Sequence, residues 1–370
     1  MAQGLRPVIL TLDDCGKWDI DAPIYHISRI KTNRIFRKIS ILKNFLENKY
    51  YEKVLIKIRE IIEKHKINIV FSFANPMESN YLGAMIKEKM GVKYISHFSD
   101  PYYGSFYRKT SIKQKKEAFH YEKYILDNSD RAIFVSQKLK EFVLSKYSNN
   151  INQKGAVIPH CFDKNLYPNH IKRKKDEFKF AYIGAFYLKR NPGPLFKALE
   201  LVLKRNKHLE KKIKLELIGG VNPYAAYKSK YLDRMIMKYN LSRITNVYPK
   251  VDYKSSLHSM MEADCLIVID ANVANSPFLP SKLVDYMGAG KPILGITPDN
   301  STTSDILKEM GFPAFNYNEI TEIANFIEDL STGEFSYKIN DQFVNRFEVP
   351  ATTKKLIYQF SNVLAGTTST

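Results

Sequence analysis

The sequence has few cysteines and no long apolar run, and both absences narrow the class of protein. Its three cysteines, Cys15, Cys161 and Cys265, show no CxxC spacing. They indicate a reducing compartment and neither a disulfide framework nor a zinc site. No apolar stretch reaches the roughly 18 residues that a membrane-spanning helix needs, and the first ten residues lack the regions of a signal peptide. We therefore expect a cytoplasmic protein.

Acidic residues are scarce relative to basic ones. The 370 residues include 57 Lys and Arg against 38 Asp and Glu, a net charge of +19. Such a field attracts nucleic acid, nucleotide phosphates or an acidic membrane surface, although an AT-rich genome would also enrich lysine. The chain has no zinc-finger or aromatic RNA-binding signature, so we do not expect nucleic acid as a partner.

Short apolar runs rich in β-branched residues alternate with longer helical patterns, which predicts parallel sheets covered by helices on both faces. The predicted strands are PVILTL, INIVFSF, KYISHF, RAIFVS, GAVIPH, FKFAYIG, LELIGG, CLIVID and KPILGIT. Residues 163–177 are polar and charged without periodicity, as in a linker. We predict domains at 1–165 and 177–344, with a helix at 345–365 that packs back on the first. Ligands of such sheets bind at the carboxyl ends of the strands.

The segment 278–295, FLPSKLVDYMGAGKPILG, is the most informative part of the sequence. Pro280 and Ser281 predict a helix start with serine as the capping residue, and two glycines follow the helix. Free N–H groups, the helix dipole and Lys282 would suit a diphosphate. Asp285 lies one turn into the helix. Its carboxylate could accept hydrogen bonds from both ribose hydroxyls, or be a solvated acid that complements the helix dipole.

This segment resembles the donor-binding signature of family-4 retaining glycosyltransferases, P-x-K-x-x-E-Y-M-A-x-G-K-P-I. The matching residues are Pro280, Lys282, Asp285, Tyr286, Met287, Gly290, Lys291, Pro292 and Ile293. The resemblance implies a GT-B fold, in which two Rossmann-like doubly wound domains face each other across a cleft. It also implies that Asp285 holds the ribose and that Ser281, Lys282 and Leu283 hold the diphosphate through their amides.

Two features of this segment depart from the family pattern. The acid in the helix is Asp285 where the family usually has glutamate, so its reach is shorter. Pro277 replaces the glutamate that contacts the donor sugar eight residues before the helix acid. Asn272, Asn275 and Ser276 are the nearby polar candidates for that contact.

Further segments of the second domain resemble the same family. Its first strand and loop correspond to FAYIGAFYLKRNPG, where Gly184 would let the ligand approach the backbone. The family usually has an arginine just after this glycine, where Ala185 and Phe186 stand here. We take Arg190 as the main phosphate ligand, because its planar fork suits bidentate contact, with a solvated loop arginine as the alternative. The remaining donor-binding candidates are Phe186, Lys189, Gly219, Pro249, Lys250 and Val251.

The first domain resembles the family over 68–163. A strand there ends in a short Asp-Pro-aromatic motif, which would bring His97, Asp100 and Tyr102 to the cleft. We take His97 and Asp100 as the catalytic candidates, with a purely structural histidine as the alternative. His160 is a weaker candidate, and no histidine has partners at a metal-ligand spacing, so we expect no metal.

The beginning of the chain departs most from the family pattern. PVILTLDD corresponds to the second strand of the scheme, so we expect the first β–α unit to be absent from this sequence. Residues 34–49 combine apolar positions at helical spacing with basic ones. They predict either an interfacial helix on anionic lipid, at the inner face of the plasma membrane, or a surface helix packed on its own sheet.

The resemblance implies transfer of a hexose or related sugar, with retention, from a nucleotide-diphosphate sugar to a glycan or lipid-linked acceptor. We favour a UDP-sugar over a GDP-sugar, expect no further cofactor, and expect a role in bacterial surface polysaccharide synthesis. A nucleotide-sugar epimerase on the same fold and a non-catalytic GT-B binding protein are the alternatives. The oligomeric state is open.

Overall fold

The structure is a computed structural model, and it describes residues 4–12, 20–28, 40–74, 76–105, 110–169, 176–186, 189–219 and 229–366. The side chains of residue 12 and of residues 40–48 lie outside this description. Of the predicted interfacial helix, 34–49, residues 34–39 lie outside the described residues, and residues 40–49 begin a helix whose side chains are described from residue 49 onward. Residues 170–175 of the predicted linker also lie outside the description.

Strands and helices alternate along most of the described chain. The strands are β1 (Ile9–Leu12), β2 (Ile24–Ile27), β3 (Ile69–Phe73), β4 (Lys93–Phe98), β5 (Arg131–Phe134), β6 (Gly155–Val157), β7 (Phe178–Ile183), β8 (Ile213–Ile218), β9 (Thr245–Tyr248), β10 (Cys265–Ile269), β11 (Ile293–Ile296) and β12 (Ala314–Phe315). The helices are α1 (Ser40–His65), α2 (Glu78–Met90), α3 (Ile112–Asn128), α4 (Gln137–Leu144), α5 (Asn149–Asn152), α6 (Gly193–Arg205), α7 (Leu209–Lys212), α8 (Ser229–Lys238), α9 (Tyr253–Glu262), α10 (Ser281–Ala289), α11 (Thr302–Met310), α12 (Ile320–Thr332), α13 (Asp341–Val344) and α14 (Val349–Ala365).

The first half of the chain contains a four-stranded parallel sheet in the order β3-β4-β5-β6 and a parallel pair, β1-β2. Strand β4 is buried on both faces, as its apolar run predicts. The last helix, α14, returns to this sheet, where Phe360 and Val363 pack against Ile95 and Ile133.

The second half contains a six-stranded parallel sheet in the order β12-β11-β10-β7-β8-β9. The strand order reverses between β7 and β10, and crevices at such a switch point are where doubly wound sheets bind ligands. Helices α6, α8 and α12 share a core on one face. Helices α9, α10 and α11 belong to a second core, which continues into the first half of the chain.

Specific polar contacts join the two halves beside this switch point. The Ser136 hydroxyl donates to the Pro277 carbonyl oxygen at 2.7 Å, and Lys138 Nζ lies 2.6 Å from a carboxylate oxygen of Asp305. The hydroxyl of Tyr167 donates to the carbonyl oxygen of Asp285 at 2.7 Å. The carboxyl ends of the strands in the two halves are thus held close together.

The structure confirms all nine predicted strands and their parallel pairing. The prediction missed β2, β9 and β12 because these strands are short and lack an apolar run, and β9 is largely exposed at the sheet edge. The predicted serine cap is wrong. Helix α10 begins at Ser281, and the extended residue before it, Pro280, is the N-cap and provides no side-chain hydrogen bond.

Candidate functional site

Three candidate residues and one further carboxylate, Asp270, lie at one edge of the six-stranded sheet. Gly184 follows β7, Gly219 follows β8, Pro249 follows β9 and Asp270 follows β10. Because these strands are parallel, their carboxyl ends meet at the same edge. The candidate site is therefore built around the switch point between β7 and β10.

Gly184 and Gly219 form a surface of bare backbone, which we call the glycine platform. Both have positive φ angles, +133° and +109°, which side-chain-bearing residues rarely adopt. A Cβ atom on Gly219 would lie 2.9 Å from the backbone of Gly184. The glycines thus let two loops approach each other closely, at a place where side chains would collide.

Lys282 lies directly against this platform. A Cβ atom on Gly184 would come within 2.5 Å of Lys282 Nζ, which also lies 3.8 Å from the ring centroid of Tyr182. This buried Nζ has no hydrogen-bond partner among the described residues. Burial, and then the charge of Arg190, lower its pKa well below the ordinary value. A bound anion beside the platform would restore the charge that burial disfavours.

Arg190 and Asp270 complete a charged group with Lys282. The Asp270 carboxylate is fully buried and accepts hydrogen bonds from the Ala271 amide at 2.7 Å and the Thr303 hydroxyl at 2.9 Å. Burial raises the pKa of Asp270, whereas the nearby Arg190 guanidinium lowers it. Asp270 therefore lies close enough to Arg190 and Lys282 to influence their charges, a role that the sequence analysis missed although the residue ends a predicted strand.

Asp285 is held in place from two sides. The Tyr253 hydroxyl donates to Asp285 Oδ1 at 2.9 Å, and Tyr167 donates to the backbone carbonyl of the same residue. Burial raises the pKa of Asp285 to about 6, and the Tyr253 hydrogen bond opposes this rise. The carboxylate keeps lone pairs for further donors such as vicinal hydroxyls. Tyr253 and Tyr167 are partners that the sequence analysis did not identify.

The first turn of α10 offers fewer donors than predicted. The amide of Leu283 donates to the Pro280 carbonyl oxygen at 2.9 Å, and the Leu283 side chain is fully buried. Among the described residues, none accepts a hydrogen bond from the amides of Ser281 or Lys282. These two amides are therefore the ones that an anion can use.

The side chains of the other donor candidates do not all face this edge. Phe186 is fully buried and stacks on Tyr182, with ring centroids 4.1 Å apart. Lys189, Pro249 and Lys250 are exposed, and Val251 is half-buried. Because the Phe186 side chain is buried, this residue could contact a ligand at the platform only through its backbone.

The polar candidates for the donor sugar are also spread apart. The buried Ser276 hydroxyl lies 3.4 Å from Asp270 Oδ2, so it serves the charged group instead. Asn275 is exposed and has a positive φ of 54°. Asn272 lines a cavity beyond the platform. No carboxylate takes the place of the family glutamate in 272–280.

The histidine candidates meet at the carboxyl ends of β4 and β6. The rings of His97 and His160 lie 6.1 Å apart, and Phe73 packs against His97. His97 is buried, and its Nδ1 has no hydrogen-bond partner among the described residues. Burial, and to a smaller extent the charge of His160, lowers the pKa of His97 to about 3. Burial lowers the pKa of His160, and the charge of Asp100 opposes this. Near neutral pH His97 is an uncharged imidazole.

A buried carboxylate fixes the turn that follows Asp100. Glu122 Oε2 accepts from the amides of Tyr102 and Tyr103 at 2.8 and 2.9 Å. Its Oε1 accepts from Lys146 Nζ and the Tyr147 hydroxyl, each at 2.8 Å. This network supports the predicted position of Asp100 and Tyr102 at the end of β4.

The segment after β6 joins the histidine group to α10. His160 belongs to the histidine group, and the next residues, Cys161 and Asp163, lie close enough to raise the pKa of Tyr253. Burial is the largest cause of that rise, and Asp285 is the next. The structure therefore brings the first-half candidates and Asp285 to the same region.

The described residues contain no group of three or more His, Cys, Asp or Glu side chains that could hold a metal ion. None of their helices has the length and apolar character of a membrane span.

Comparison with solved structures identifies the fold. The sucrose-phosphate synthase from Thermosynechococcus elongatus superposes with a TM-score of 0.71 at 14% identity, over 99% of this chain and 91% of that one. HepE from Anabaena, in complex with UDP and glucose, gives 0.66 at 13% identity, over 96% and 99%. The lipopolysaccharide outer core galactosyltransferase WaaB gives 0.59 at 14% identity, over 94% and 85%.

These similarities confirm the predicted fold. The chain is an α/β protein with the GT-B fold, two Rossmann-like doubly wound units that face each other across a cleft. No protein-family profile matches the chain, and no curated protein sequence does.

Proposed function

We propose that this protein is a glycosyltransferase that transfers a sugar from a UDP-sugar. The observation that carries the proposal is the position of Asp285. Its carboxylate, oriented by Tyr253, lies one turn into α10, and the adjacent Lys282 extends to the glycine platform at the switch point. The bound UDP of the Anabaena structure supports the choice of nucleotide. We also propose that the two sheets form the cores of domains 1–165 and 177–344.

The nucleotide would occupy the carboxyl edge of the six-stranded sheet. The Asp285 carboxylate would accept hydrogen bonds from the two ribose hydroxyls. The turn after β9, which contains Pro249, Lys250 and Val251, would contact the nucleobase. The diphosphate would lie over Gly184 and accept hydrogen bonds from the backbone amides of Ser281 and Lys282. Arg190 and Lys282 then stabilise the negative charge that develops on the leaving diphosphate.

The acceptor would enter from the first half, where Asp100 and His97 lie. We propose transfer of a hexose with retention by attack from the face that the diphosphate leaves. A glycan or lipid-linked acceptor fits the net charge of +19 and the lipopolysaccharide substrate of WaaB. Closure of the two domains would exclude water and limit hydrolysis of the donor.

Thermal unfolding with nucleotides tests the donor site. We expect UDP to raise the melting temperature more than GDP, CDP or ADP, each at millimolar concentration. A ligand at 100 times its Kd stabilises the folded state by about 2.7 kcal/mol. No shift with any of the four would contradict a nucleotide-sugar enzyme.

Replacement of Gly184 by alanine tests the platform. The left-handed φ strains the new residue and its Cβ atom would collide with Lys282 Nζ. We expect UDP affinity to fall by about tenfold and the free energy of unfolding to fall by about 1–3 kcal/mol, as measured by calorimetric titration and urea unfolding. Gly333→Ala is the control, because Gly333 has a φ of +86° but open space around its Cβ position. Equal UDP affinity in both variants would remove the platform from the site.

Product analysis separates transfer from epimerisation. Incubation with a UDP-sugar and no acceptor should leave the configuration of the sugar unchanged in a glycosyltransferase. An isomerised UDP-sugar would instead identify an epimerase.

A further inference from the structure

A cavity lies at the carboxyl edge of the six-stranded sheet, beside the helices that cover the face opposite α9 and α10. Its volume is about 500 Å³, which is within the range of small-molecule sites. It opens between α6 and α8, and Lys197, Arg234 and Lys238 contribute to its wall. We call it the basic cavity.

The charge of this cavity is not balanced locally. Its described lining contains three basic side chains and no acidic one. Within the described chain, no carboxylate oxygen lies within 4 Å of Lys197, Arg234 or Lys238. Other basic residues of α6 do form ion pairs with carboxylates; for example, Lys204 Nζ lies 2.9 Å from a carboxylate oxygen of Glu200. An anion in the basic cavity would therefore find cations that are not already neutralised.

The groups of the basic cavity that could bind an anion are side chains, and the N-terminus of α6 does not contribute. Helix α6 begins at the cavity, but Pro194 has no N–H group and the Gly193 amide already donates to Asn191 Oδ1 at 2.9 Å. The guanidinium of Arg234 and the ammonium of Lys238 are suited to a phosphate group.

The rest of the wall fits an uncharged polyol. The amides of Asn191, Asn272 and Asn318 offer donors and acceptors for hydroxyl groups. The rings of Tyr231 and Tyr239 also line the cavity, and Lys238 Nζ lies 5.4 Å from the centroid of the Tyr239 ring. Aromatic rings offer apolar faces on which a sugar ring can pack beside such a cation.

The basic cavity is distinct from the donor site but shares a loop with it. Helices α6 and α8 pack on one face of the sheet, whereas α9 and α10, which carry Tyr253 and Asp285, pack on the other. The shared loop contains Lys189, whose carbonyl oxygen accepts from the Asn272 amide at 3.0 Å. Arg190 and Asn191 follow it, one in the charged group and one in the cavity wall.

From the unbalanced charge, the amides and the aromatic rings together, we propose that the basic cavity binds a phosphorylated sugar. The phosphate contacts Arg234 and Lys238, and the sugar ring lies against the tyrosines. This inference goes beyond the proposed transferase activity and does not depend on it.

Calorimetric titration with glucose 6-phosphate, glucose and inorganic phosphate tests the proposal on the full chain. We expect glucose 6-phosphate to bind at least tenfold more tightly than either of its halves. The double variant Arg234→Ala/Lys238→Ala should weaken that binding by tenfold or more. Lys207→Ala/Lys211→Ala removes the same charge from exposed positions outside the cavity and should leave it unchanged.

Saturating UDP distinguishes the two sites. Glucose 6-phosphate should still bind to the UDP-loaded protein, and to a protein that fails to bind UDP. Competition between the two ligands would place the sugar phosphate in the donor site and overturn the proposal. Equal affinities of the two double variants, or of glucose 6-phosphate and inorganic phosphate, would also overturn it.

Discussion

Replacement of Asp285 by asparagine should weaken UDP binding by about 10- to 100-fold. A hydrogen bond to a charged group contributes about 1.5–3 kcal/mol, and the asparagine amide can replace only part of a carboxylate that accepts two hydroxyls. Calorimetric titration of UDP measures the change. Asp233→Asn is the matched control, since Asp233 is exposed on α8 and away from α10.

The stability of the Asp285→Asn variant shows whether its weaker UDP binding comes from the lost carboxylate or from misfolding. Burial raises the pKa of Asp285 in the folded protein to about 6, so the folded state binds this proton more tightly than the unfolded chain does. Stability therefore falls as pH rises from about 4 to 6. The partly exposed carboxylate is screened, so we expect the asparagine variant to gain only about 1–2 kcal/mol at pH 7. A destabilised variant with weak UDP binding would indicate misfolding instead.

Loss of Glu122 should produce the largest change in stability. Its side chain is fully buried and receives four hydrogen bonds, while its partner Lys146 is only 19% exposed. Removal of one member of a buried ion pair costs about 3–5 kcal/mol because the other charge remains buried. We expect Glu122→Ala to lose that much free energy of unfolding in urea.

An exposed ion pair on the same helix provides the comparison for Glu122. Glu117 lies 4.0 Å from Lys113, and both side chains are more than 60% exposed. Such pairs contribute about 0.5 kcal/mol or less, so Glu117→Ala should be nearly neutral. A similar, small effect of both substitutions would mean that the network does not hold the turn beside Asp100.

Much of the fold was predictable because its signals are local. The apolar runs of β7, β8 and β10 predict buried parallel strands, and the segment at α10 carries a recognisable pattern. The short strand β9 was missed because TNVY is exposed at the edge and has no apolar run.

The site was less predictable, because its contacts join residues far apart in the sequence. Tyr253 meets Asp285 across 32 positions, and nothing near either residue indicates the pair. The burial of Lys282 depends on the space left by Gly184 nearly a hundred residues earlier. Asp270 ends a predicted strand, which is a usable signal, but Thr303, which donates to it, lies in the first turn of α11, 33 positions away.

The crystal structure of the protein soaked with UDP tests the central claim most directly. We expect both ribose hydroxyls within hydrogen-bond distance of the Asp285 carboxylate, and the diphosphate over Gly184 beside the Ser281 and Lys282 amides. UDP bound with its ribose away from Asp285, or on the α6–α8 face of the sheet, would contradict the proposed donor site.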